Sequence, residues 1–331
     1  MNEKSLKVLE QYDIRVTGTK RGRGSYICET NMGKKLLLDY AGSEKKLEFV
    51  NQVLTVLDSR GYAFTDKVMK NREGNLITRD REENACILKD WYEGRECDTK
   101  SIADMEGAAA CLAKLHQMLV YLPEDREIPG IYTAEDLGEE IRRHNRELRK
   151  VHAFIKRRQQ KNEFEVRFLN CFSMFYEQAL EAEKRIGQSD YAVLKKESLE
   201  KGRLCHGSFH QHNIYFCGRR QIFVSNFDKC RYDVQMTDLY QFLRKMMEKQ
   251  DWEERTGHQI LSAYDREKPI EKREWGYLYA RLFYPEKFWK LVNQYYNRGK
   301  VWIPWQSAGK LKVLTEQQEK RNAFLKTLEG R

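Results

Sequence analysis

Short runs rich in apolar residues, separated by turn-forming or charged segments, recur through the first ninety positions and predict β-strands. These runs occupy residues 14–16, 26–28, 35–40, 76–78 and 85–88. A glycine-rich segment at 18–25 separates the first two runs and predicts a turn, because glycine readily adopts the positive φ of tight turns. The last two runs predict a hairpin, so this part of the chain is expected to form a small sheet.

One helix interrupts the strands. Apolar residues recur there at intervals of three and four, at Leu47, Val50, Leu54 and Leu57. This spacing places them on one face and predicts an amphipathic helix over residues 44–59, with Ser43 as its N-cap.

Beyond residue 95 the pattern is mostly helical. Amphipathic stretches predict helices at 102–122, 135–161, 163–186 and 238–249, the last of them capped by Asp238. A strand pair is predicted at 213–217 and 221–224. This order of elements predicts an α+β, two-lobed fold. Its expected parts are a β-rich N-terminal lobe at 1–88, a connector at 89–94 and a helical C-terminal lobe at 95–331, which contains a hairpin at 204–228.

Composition limits the class of protein. The 331-residue chain is 33% charged and 40% hydrophobic, and its mean hydropathy is −0.79. No apolar run of eighteen residues predicts a membrane span, and the first six residues lack the apolar core of a secretory signal. The eight cysteines include no C-x-x-C pair, which argues against structural zinc. Scattered thiols then fit a reducing compartment, where they act as small buried hydrophobes.

The net charge of +10 favours anionic partners such as nucleotides, nucleic acid, acidic proteins or membrane surfaces. Much of it is concentrated at 142–161, where cations surround most of a predicted helix. Charge runs of this kind are usually solvated helix faces. No C2H2, KH or ribonucleoprotein motif accompanies this one, so nucleic acid is not the favoured partner.

The most informative polar segment reads H-G-S-F-H-Q-H-N over residues 206–213, and N-F-D follows at 226–228. In kinases a base aspartate stands five residues before a metal-binding asparagine, and a metal-binding aspartate follows on the next strand pair. Here Asn213 is present, but Ser208 stands at the base position and Asn226 at the metal position. This combination predicts a kinase fold that has lost phosphoryl transfer.

The stretch from Leu204 to Ile214 resembles the H-G-D-x-x-x-x-N-I loop of aminoglycoside and choline kinase-like phosphotransferases. Over its full length the chain is similar to CotS-type spore coat proteins of endospore-forming Firmicutes, a branch of that superfamily. Collinear segments carry this resemblance at 40–44, 88–96, 226–233, 238–245 and 280–289. The resemblance implies a protein kinase-like fold and a protein made in the mother cell during sporulation and used in coat assembly.

The resemblance also implies positions for phosphate contacts. In the resembling kinases a strand lysine contacts the α- and β-phosphates and a helix glutamate holds it. Leu38 stands at the implied lysine position, and Lys34 and Lys35 come about 10 Å too early along an extended strand. A glutamate is available on the next helix, at Glu44 or Glu48, although solvent-facing helix charge explains either equally well.

Four further residues belong to this degenerate nucleotide cleft. Gly22 and Gly24 lie in the first strand-to-strand turn, where a phosphate-covering loop belongs, but a hairpin turn needs glycine as well. Asp90 and Tyr92 lie in the connector on the other side of the expected cleft.

The catalytic candidates are His206, Ser208 and Asn213. Serine has no proton acceptor of useful pKa near neutrality, and removing a general base costs about 100- to 10,000-fold in rate. His210 or His212 is a candidate substitute, although hydrogen bonding and packing of the loop also explain both.

The metal candidates are Asn213, Asn226 and Asp228. Asn213 keeps an amide oxygen that suits a metal. Asn226 lacks the charge of the usual aspartate, and Asp228 is the nearby carboxylate that would still hold a divalent ion.

Three functions are compatible with these residues. The favoured one is a pseudokinase that binds other spore coat proteins without a cofactor, made in the mother-cell cytoplasm and then located in the coat. The second is an active small-molecule phosphotransferase that uses ATP and Mg2+ through an atypical site of Asp228, Asn213 and a histidine, with an unknown acceptor. A nucleic-acid binder that uses the basic helix is a weaker third.

Overall fold

A computed structural model of the chain describes residues 3–22, 24–124, 127–218, 221–297 and 304–331. The chain forms two compact units. The first comprises Met1–Thr133 and Lys201–Gln241, and the second comprises Ala134–Glu200 and Phe242–Arg331. The predicted N-terminal lobe and connector both fall inside the first unit, together with the loop at 206–213.

An antiparallel five-stranded sheet lies at the start of the first unit. Its strands are β1 (Val16–Arg21), β2 (Ser25–Thr30), β3 (Gly33–Asp39), β4 (Thr78–Arg79) and β5 (Ala85–Asp90). Their order in the sheet is β1-β2-β3-β5-β4. In the β3–β5 ladder, Leu36 is opposite Lys89 and Leu38 is opposite Ile87.

The two faces of this sheet pack against different helices, because alternate residues of a strand point to opposite faces. Leu37 belongs to the face that packs against the 3-10 helix Glu3–Gln11. Leu38 belongs to the face that packs against helix α1 (Glu44–Ser59). Lys89 shares the α1 face, since it lies two residues beyond the partner of Leu38.

The rest of the first unit surrounds the segments with kinase-like sequence. It contains helix α2 (Ile102–Met118), the three-stranded sheet β6-β8-β9 and the strand pair β7–β10. The strands are β6 (Arg95–Glu96), β7 (Leu204–Cys205), β8 (Ile214–Cys217), β9 (Gln221–Val224) and β10 (Arg231–Tyr232). The loop at 206–213 therefore joins β7 to β8, and the segment at 225–230 joins β9 to β10.

Helices make up the second unit. They are α3 (Leu137–Arg157), α4 (Glu163–Gln188), α5 (Tyr191–Glu200), α7 (Glu254–Glu267), α8 (Lys272–Phe283), α9 (Glu286–Asn297), α10 (Pro304–Glu316) and α11 (Gln318–Leu328). Helix α6 (Met236–Lys249) begins in the first unit and ends in the second. An aromatic core joins α4 to α9, where the rings of Phe168 and Phe288 stack with centroids 5.6 Å apart. None of the described helices combines the length and the apolar character that a membrane span requires.

Several predicted elements need correction. The first strand continues through residues 18–21, which pair with β2 instead of forming a turn. Ser43 occupies the N-cap of α1, but its hydroxyl accepts no hydrogen bond from the first turn. Helix α2 ends at Met118 and not at residue 122. Asp238 lies inside the first turn of α6, because that helix already begins at Met236.

The C-terminal aromatic residues are mainly core, as predicted. Tyr284 and Phe288 are buried, and Trp289 is partly buried. Trp305 is 68% exposed, as expected, although it lies in the first turn of α10 and not in a loop. Trp302 falls outside the described residues. All eight cysteines are described, none of them forms a disulfide, and seven are buried.

The arginines of α3 are confirmed as a solvated face. Arg142, Arg143, Arg146 and Arg149 are exposed. Arg142 and Arg143 form surface ion pairs with Glu139 and Glu135, both with an N–O distance of 2.7 Å. Surface pairs of this kind contribute about 0–1 kcal/mol to the free energy of unfolding.

We predict that reversing the charges of Arg146 and Arg149 to glutamate changes the melting temperature by no more than about 2 °C, because exposed substitutions cost about 0.5 kcal/mol or less. The control Ile141→Ala, on the buried face of the same helix, should lose about 2–5 kcal/mol. A loss in the double arginine variant comparable to that of the control would show that these side chains are buried in ion pairs.

His144, on the buried face of α3, should make stability depend on pH. Its ring stacks on Trp289 with centroids 3.4 Å apart, and burial lowers its pKa from 6.5 to about 4. The unfolded chain therefore binds a proton more readily than the folded chain between these pH values, and stability falls as the pH falls.

We predict that His144→Phe, which keeps an aromatic ring at this position, removes about 2 kcal/mol of the stability difference between pH 7.5 and pH 5 in urea unfolding. His212→Phe is the matched control, since His212 is largely exposed. An unchanged pH profile in the His144 variant would contradict the assignment.

Candidate functional site

A buried carboxylate holds the start of the loop at 206–213. Asp238 accepts hydrogen bonds from the backbone N–H groups of His206 at 2.6 Å and Gly207 at 2.9 Å. Its Oδ2 also lies 3.3 Å from Nε2 of His116, which is buried on α2. Burial acts to raise the pKa of Asp238, but the hydrogen bond and charge of His116 and the other donors outweigh it, so the pKa is lowered. Asp238 therefore braces the loop.

Gly207 is required by the same turn. Its φ is +75°, and a Cβ added there would lie 2.2 Å from the carbonyl oxygen of Lys229. Any larger residue would push the loop away from the segment at 225–230.

Both ring nitrogens of His206 are committed to the backbone. Nδ1 accepts the N–H of Ser208 at 3.1 Å, and Nε2 donates to the carbonyl of Ser225 at 3.0 Å. Burial lowers the pKa of His206, which favours the neutral ring that this pattern requires. His206 therefore joins two segments of the site and has no nitrogen available for proton transfer.

Ser208 and Asn213 meet at the catalytic position of the loop. Asn213 Nδ2 donates to the carbonyl of Ser208 at 2.8 Å and lies 3.3 Å from its Oγ. Ser208 Oγ also lies 3.4 Å from Nε2 of His210. His212 is directed elsewhere, with Nδ1 2.7 Å from Glu96. Of the two candidate histidines, only His210 is therefore beside the predicted base position.

A lysine bridges two carboxylates at the predicted metal position. Nζ of Lys89 lies 3.2 Å from Oδ2 of Asp66 and 3.2 Å from Oδ1 of Asp228. The side chains of Lys89 and Asp66 are 7% and 6% exposed, whereas that of Asp228 is 56% exposed. Burial acts to lower the pKa of Lys89, but the charges of both aspartates outweigh it and raise the pKa. We call these residues the Lys89 triad.

Backbone contacts connect the triad to the metal position. Oδ2 of Asp66 accepts the N–H of Asn226 at 2.9 Å, so one oxygen contacts both Asn226 and Lys89. Asn226 has a φ of 66° in the left-handed region, which asparagine and aspartate tolerate better than most residues. The backbone geometry at this position is therefore compatible with the aspartate that kinases carry.

The β3 position expected to carry lysine is apolar, and a cation is supplied from the neighbouring strand. Leu38 packs with Leu47 and Ile87 on the α1 face of the sheet. Lys89 extends from β5 on that same face and reaches Asp228. Lys35 pairs with Asp90 instead, and Lys34 pairs with Glu93 at 2.6 Å.

Helix α1 contacts the site through Lys46. Its ammonium donates to the carbonyl of Cys230, and burial lowers its pKa. Glu48 is exposed and lines a surface depression of about 640 Å3 with Glu44 and Tyr121. Neither predicted glutamate is therefore brought to Lys89.

The other predicted cleft residues have structural partners. Gly22 N–H donates to the carbonyl of Ser25 at 2.8 Å and closes a tight turn in which Gly24 has a φ of 73°. Asp90 pairs with Lys35. The hydroxyl of Tyr92 donates to the carbonyl of Ala63 at 3.1 Å.

Sequence reasoning missed Lys89, Asp66 and Lys46. A usable signal existed for Lys89, since it continues the alternation of Ile87, but the strand was predicted to end at Leu88. Asp66 lies outside the named strands and helices, where no periodicity indicates the direction of a side chain.

Comparison with known proteins identifies the family. Residues 5–328 match the family described as "Spore coat putative kinase YutH". The chain belongs to this family. It is also 22% identical over 330 residues to spore coat protein S of Bacillus subtilis (strain 168), covering 95% of this chain and 89% of that protein. The predicted relationship to spore coat proteins is confirmed.

Solved structures confirm the predicted fold class. An aminoglycoside phosphotransferase from Alicyclobacillus acidocaldarius matches with a TM-score of 0.85 at 17% identity, over 98% of this chain and 94% of that chain. Spectinomycin phosphotransferase APH(9)-Ia matches with a TM-score of 0.65 at 12% identity, over 96% of both chains. Choline kinase LicA from Streptococcus pneumoniae matches with a TM-score of 0.51 at 12% identity, over 94% of this chain and 97% of that chain. At these identities the likeness concerns the fold alone.

Kinases of this fold use a magnesium nucleotide, and three of the positions that would serve it carry uncharged side chains here: Leu38, Ser208 and Asn226. A nucleotide site needs cations facing phosphate and carboxylates facing metal. In the Lys89 triad one ammonium lies between two carboxylates, which leaves one net negative charge. No described group of three or more His, Cys, Asp or Glu side chains is arranged to hold a metal ion.

We predict that Asp238→Asn destabilises the protein by about 3–5 kcal/mol, because it removes a buried charge that accepts two backbone N–H groups. Asp251→Asn, at an exposed pair with Lys320, should cost about 1 kcal/mol or less. Equal losses in urea unfolding would show that Asp238 does not brace the loop.

Proposed function

We propose that this member of the spore coat kinase family is a pseudokinase that acts by binding other coat components. The observation that carries the proposal is the Lys89 triad. Its ammonium is bound within the protein by two carboxylates, one of them in the segment where kinases carry a metal-binding aspartate. A group paired in this way is not available to phosphate unless both contacts are broken.

Three differences from the kinase pattern each remove a group that phosphoryl transfer needs. Leu38 contributes no charge, Ser208 is not a base, and Asn226 is uncharged. One substitution is open to bypass by a neighbouring group, but the three affect phosphate binding, proton transfer and metal binding separately. The loop that Asp238 braces does not depend on these three side chains, because Asp238 contacts two backbone N–H groups and His116.

The similarity to spore coat protein S supports the cellular part of the proposal. In this proposal the protein is made in the mother-cell cytoplasm, enters the spore coat and has other coat proteins as its partners. The exposed arginines of α3 provide a positive surface for an acidic partner. No cofactor is required for this role.

We predict that MgATP binds more weakly than about 1 mM, which corresponds to about −4.1 kcal/mol. Calorimetric titration of the full chain with ATP, with and without Mg2+, measures this directly. A micromolar dissociation constant would contradict the proposal.

Restoring the missing groups tests which of them matter. The variant Leu38→Lys, Ser208→Asp, Asn226→Asp is expected to gain nucleotide binding before it gains turnover. If this triple variant does not bind nucleotide, Lys89→Met is added to it and the nucleotide titration is repeated. Binding only after that change would attribute the block to Lys89, whereas failure of both would indicate a site closed by other side chains.

One observation favours the alternative of an active phosphotransferase. His210 lies beside Ser208 and Asn213 at hydrogen-bonding distance, which places an imidazole near the base position. Under this alternative the wild type would phosphorylate aminoglycosides, choline or sugars with ATP, and both His210→Ala and Asp228→Ala would abolish turnover. Absence of turnover above background is the result that the pseudokinase proposal expects.

A further inference from the structure

The Lys89 triad contains more negative than positive charge. Lys89 supplies one positive charge, and Asp66 and Asp228 supply two negative charges. Burying a charge costs several kcal/mol unless it is paired, so the buried Asp66 needs a compensating cation, whereas Asp228 is half exposed to solvent. The Lys89 ammonium is the cation that contacts both carboxylates, and Lys46 also interacts electrostatically with Asp228.

A second observation concerns Asp66 alone. Its residue is only 5% exposed, and among the described residues its Oδ1 atom has no hydrogen-bond partner. The other oxygen, Oδ2, receives both the Lys89 ammonium and the Asn226 N–H. A buried carboxylate oxygen beside the ammonium therefore retains unused capacity to coordinate a cation.

We propose that the Lys89 ammonium is a built-in replacement for a divalent cation and that it keeps the site free of metal. Removing its charge should convert Asp66 and Asp228 into ligands of a divalent ion. The inference uses the same triad as the proposed function but is tested without nucleotide, so each can fail alone.

The chemistry of the ligands indicates which ions would bind. Carboxylate oxygens and water are the ligands preferred by Mg2+, Ca2+ and Mn2+. The two Lys89 contacts are 3.2 Å long, whereas Mg2+ needs oxygens at about 2.0–2.1 Å. Asp228 would have to move inward, and its half-exposed side chain has room to do so. Asp66 is held by the Asn226 N–H and would be the fixed ligand.

The test is a titration of the full chain with Mn2+ alone. Electron paramagnetic resonance detects binding as a loss of the free-ion signal. Wild type should not bind below about 1 mM, and Lys89→Met should bind at least about tenfold more tightly. Lys89→Met with Asp66→Asn should lose that binding. Binding by wild type equal to that of Lys89→Met would overturn the proposal, as would no binding by a folded Lys89→Met protein.

Lys35→Met is the matched control. Lys35 is also a buried lysine of the five-stranded sheet, but it pairs with one carboxylate, Asp90. Its removal leaves a single charged ligand, so Mn2+ should not bind. Equal Mn2+ binding in the two methionine variants would show that loss of any buried lysine suffices and would contradict the inference.

Folding provides an independent readout, because an ion that binds only the folded state raises its stability. Lys89→Met should melt at a lower temperature than wild type, and Mn2+ should recover part of the loss in this variant and none in Lys35→Met. Lys89→Gln, whose amide can still donate to Asp66, is prepared in parallel in case the methionine variant does not fold. Failure of both Lys89 variants to fold, with or without about 1 mM Mn2+, would overturn the proposal, since a competent site should be stabilised.

Discussion

A buried ammonium ion is stable only where carboxylates lie close enough to repay its lost hydration. Lys89 meets this condition through Asp66 on one side and Asp228 on the other. These contacts connect strand β5 to the segment at 225–230, which also receives Lys46 from α1. The geometry of the site in the first unit therefore depends on the positive charge of Lys89. This lysine lies on strand β5, whereas kinases carry their phosphate-binding lysine on β3.

Two kinds of interaction in this site have separate roles. Asp238, His206 and Gly207 hold the loop through backbone hydrogen bonds and a glycine conformation. Ser208, Asn226 and Leu38 are the positions where catalytic groups would act. Because the first set makes no use of the side chains of the second, the loop geometry does not depend on which groups stand at the catalytic positions. This separation explains how the family match and the altered site occur in the same chain.

The sequence predicted much of the fold and only part of the site. Helix α1 was predicted at its observed bounds, because four apolar residues mark its buried face. Ser208, Asn213 and Asn226 were predicted from their places in the motif, and the structure brings Ser208 and Asn213 into contact. The Lys89 triad was missed, because Asp66 and Asp228 lie 162 positions apart and only folding brings them to one ammonium. The side-chain contacts of Asp238 could not be predicted either, since its capping role was inferred from position alone.

The most direct measurement is nuclear magnetic resonance of the lysine ammonium groups in protein labelled with 15N at Nζ. The signal of Lys89 is identified by its loss in Lys89→Met, and a buried, ion-paired ammonium should exchange its protons slowly. The account predicts that this signal does not shift when MgATP is added to about 1 mM, because the Lys89 ammonium stays paired with Asp66 and Asp228. A saturable shift of the Lys89 signal at micromolar MgATP would contradict the account, since it would mean that the ammonium contacts the nucleotide.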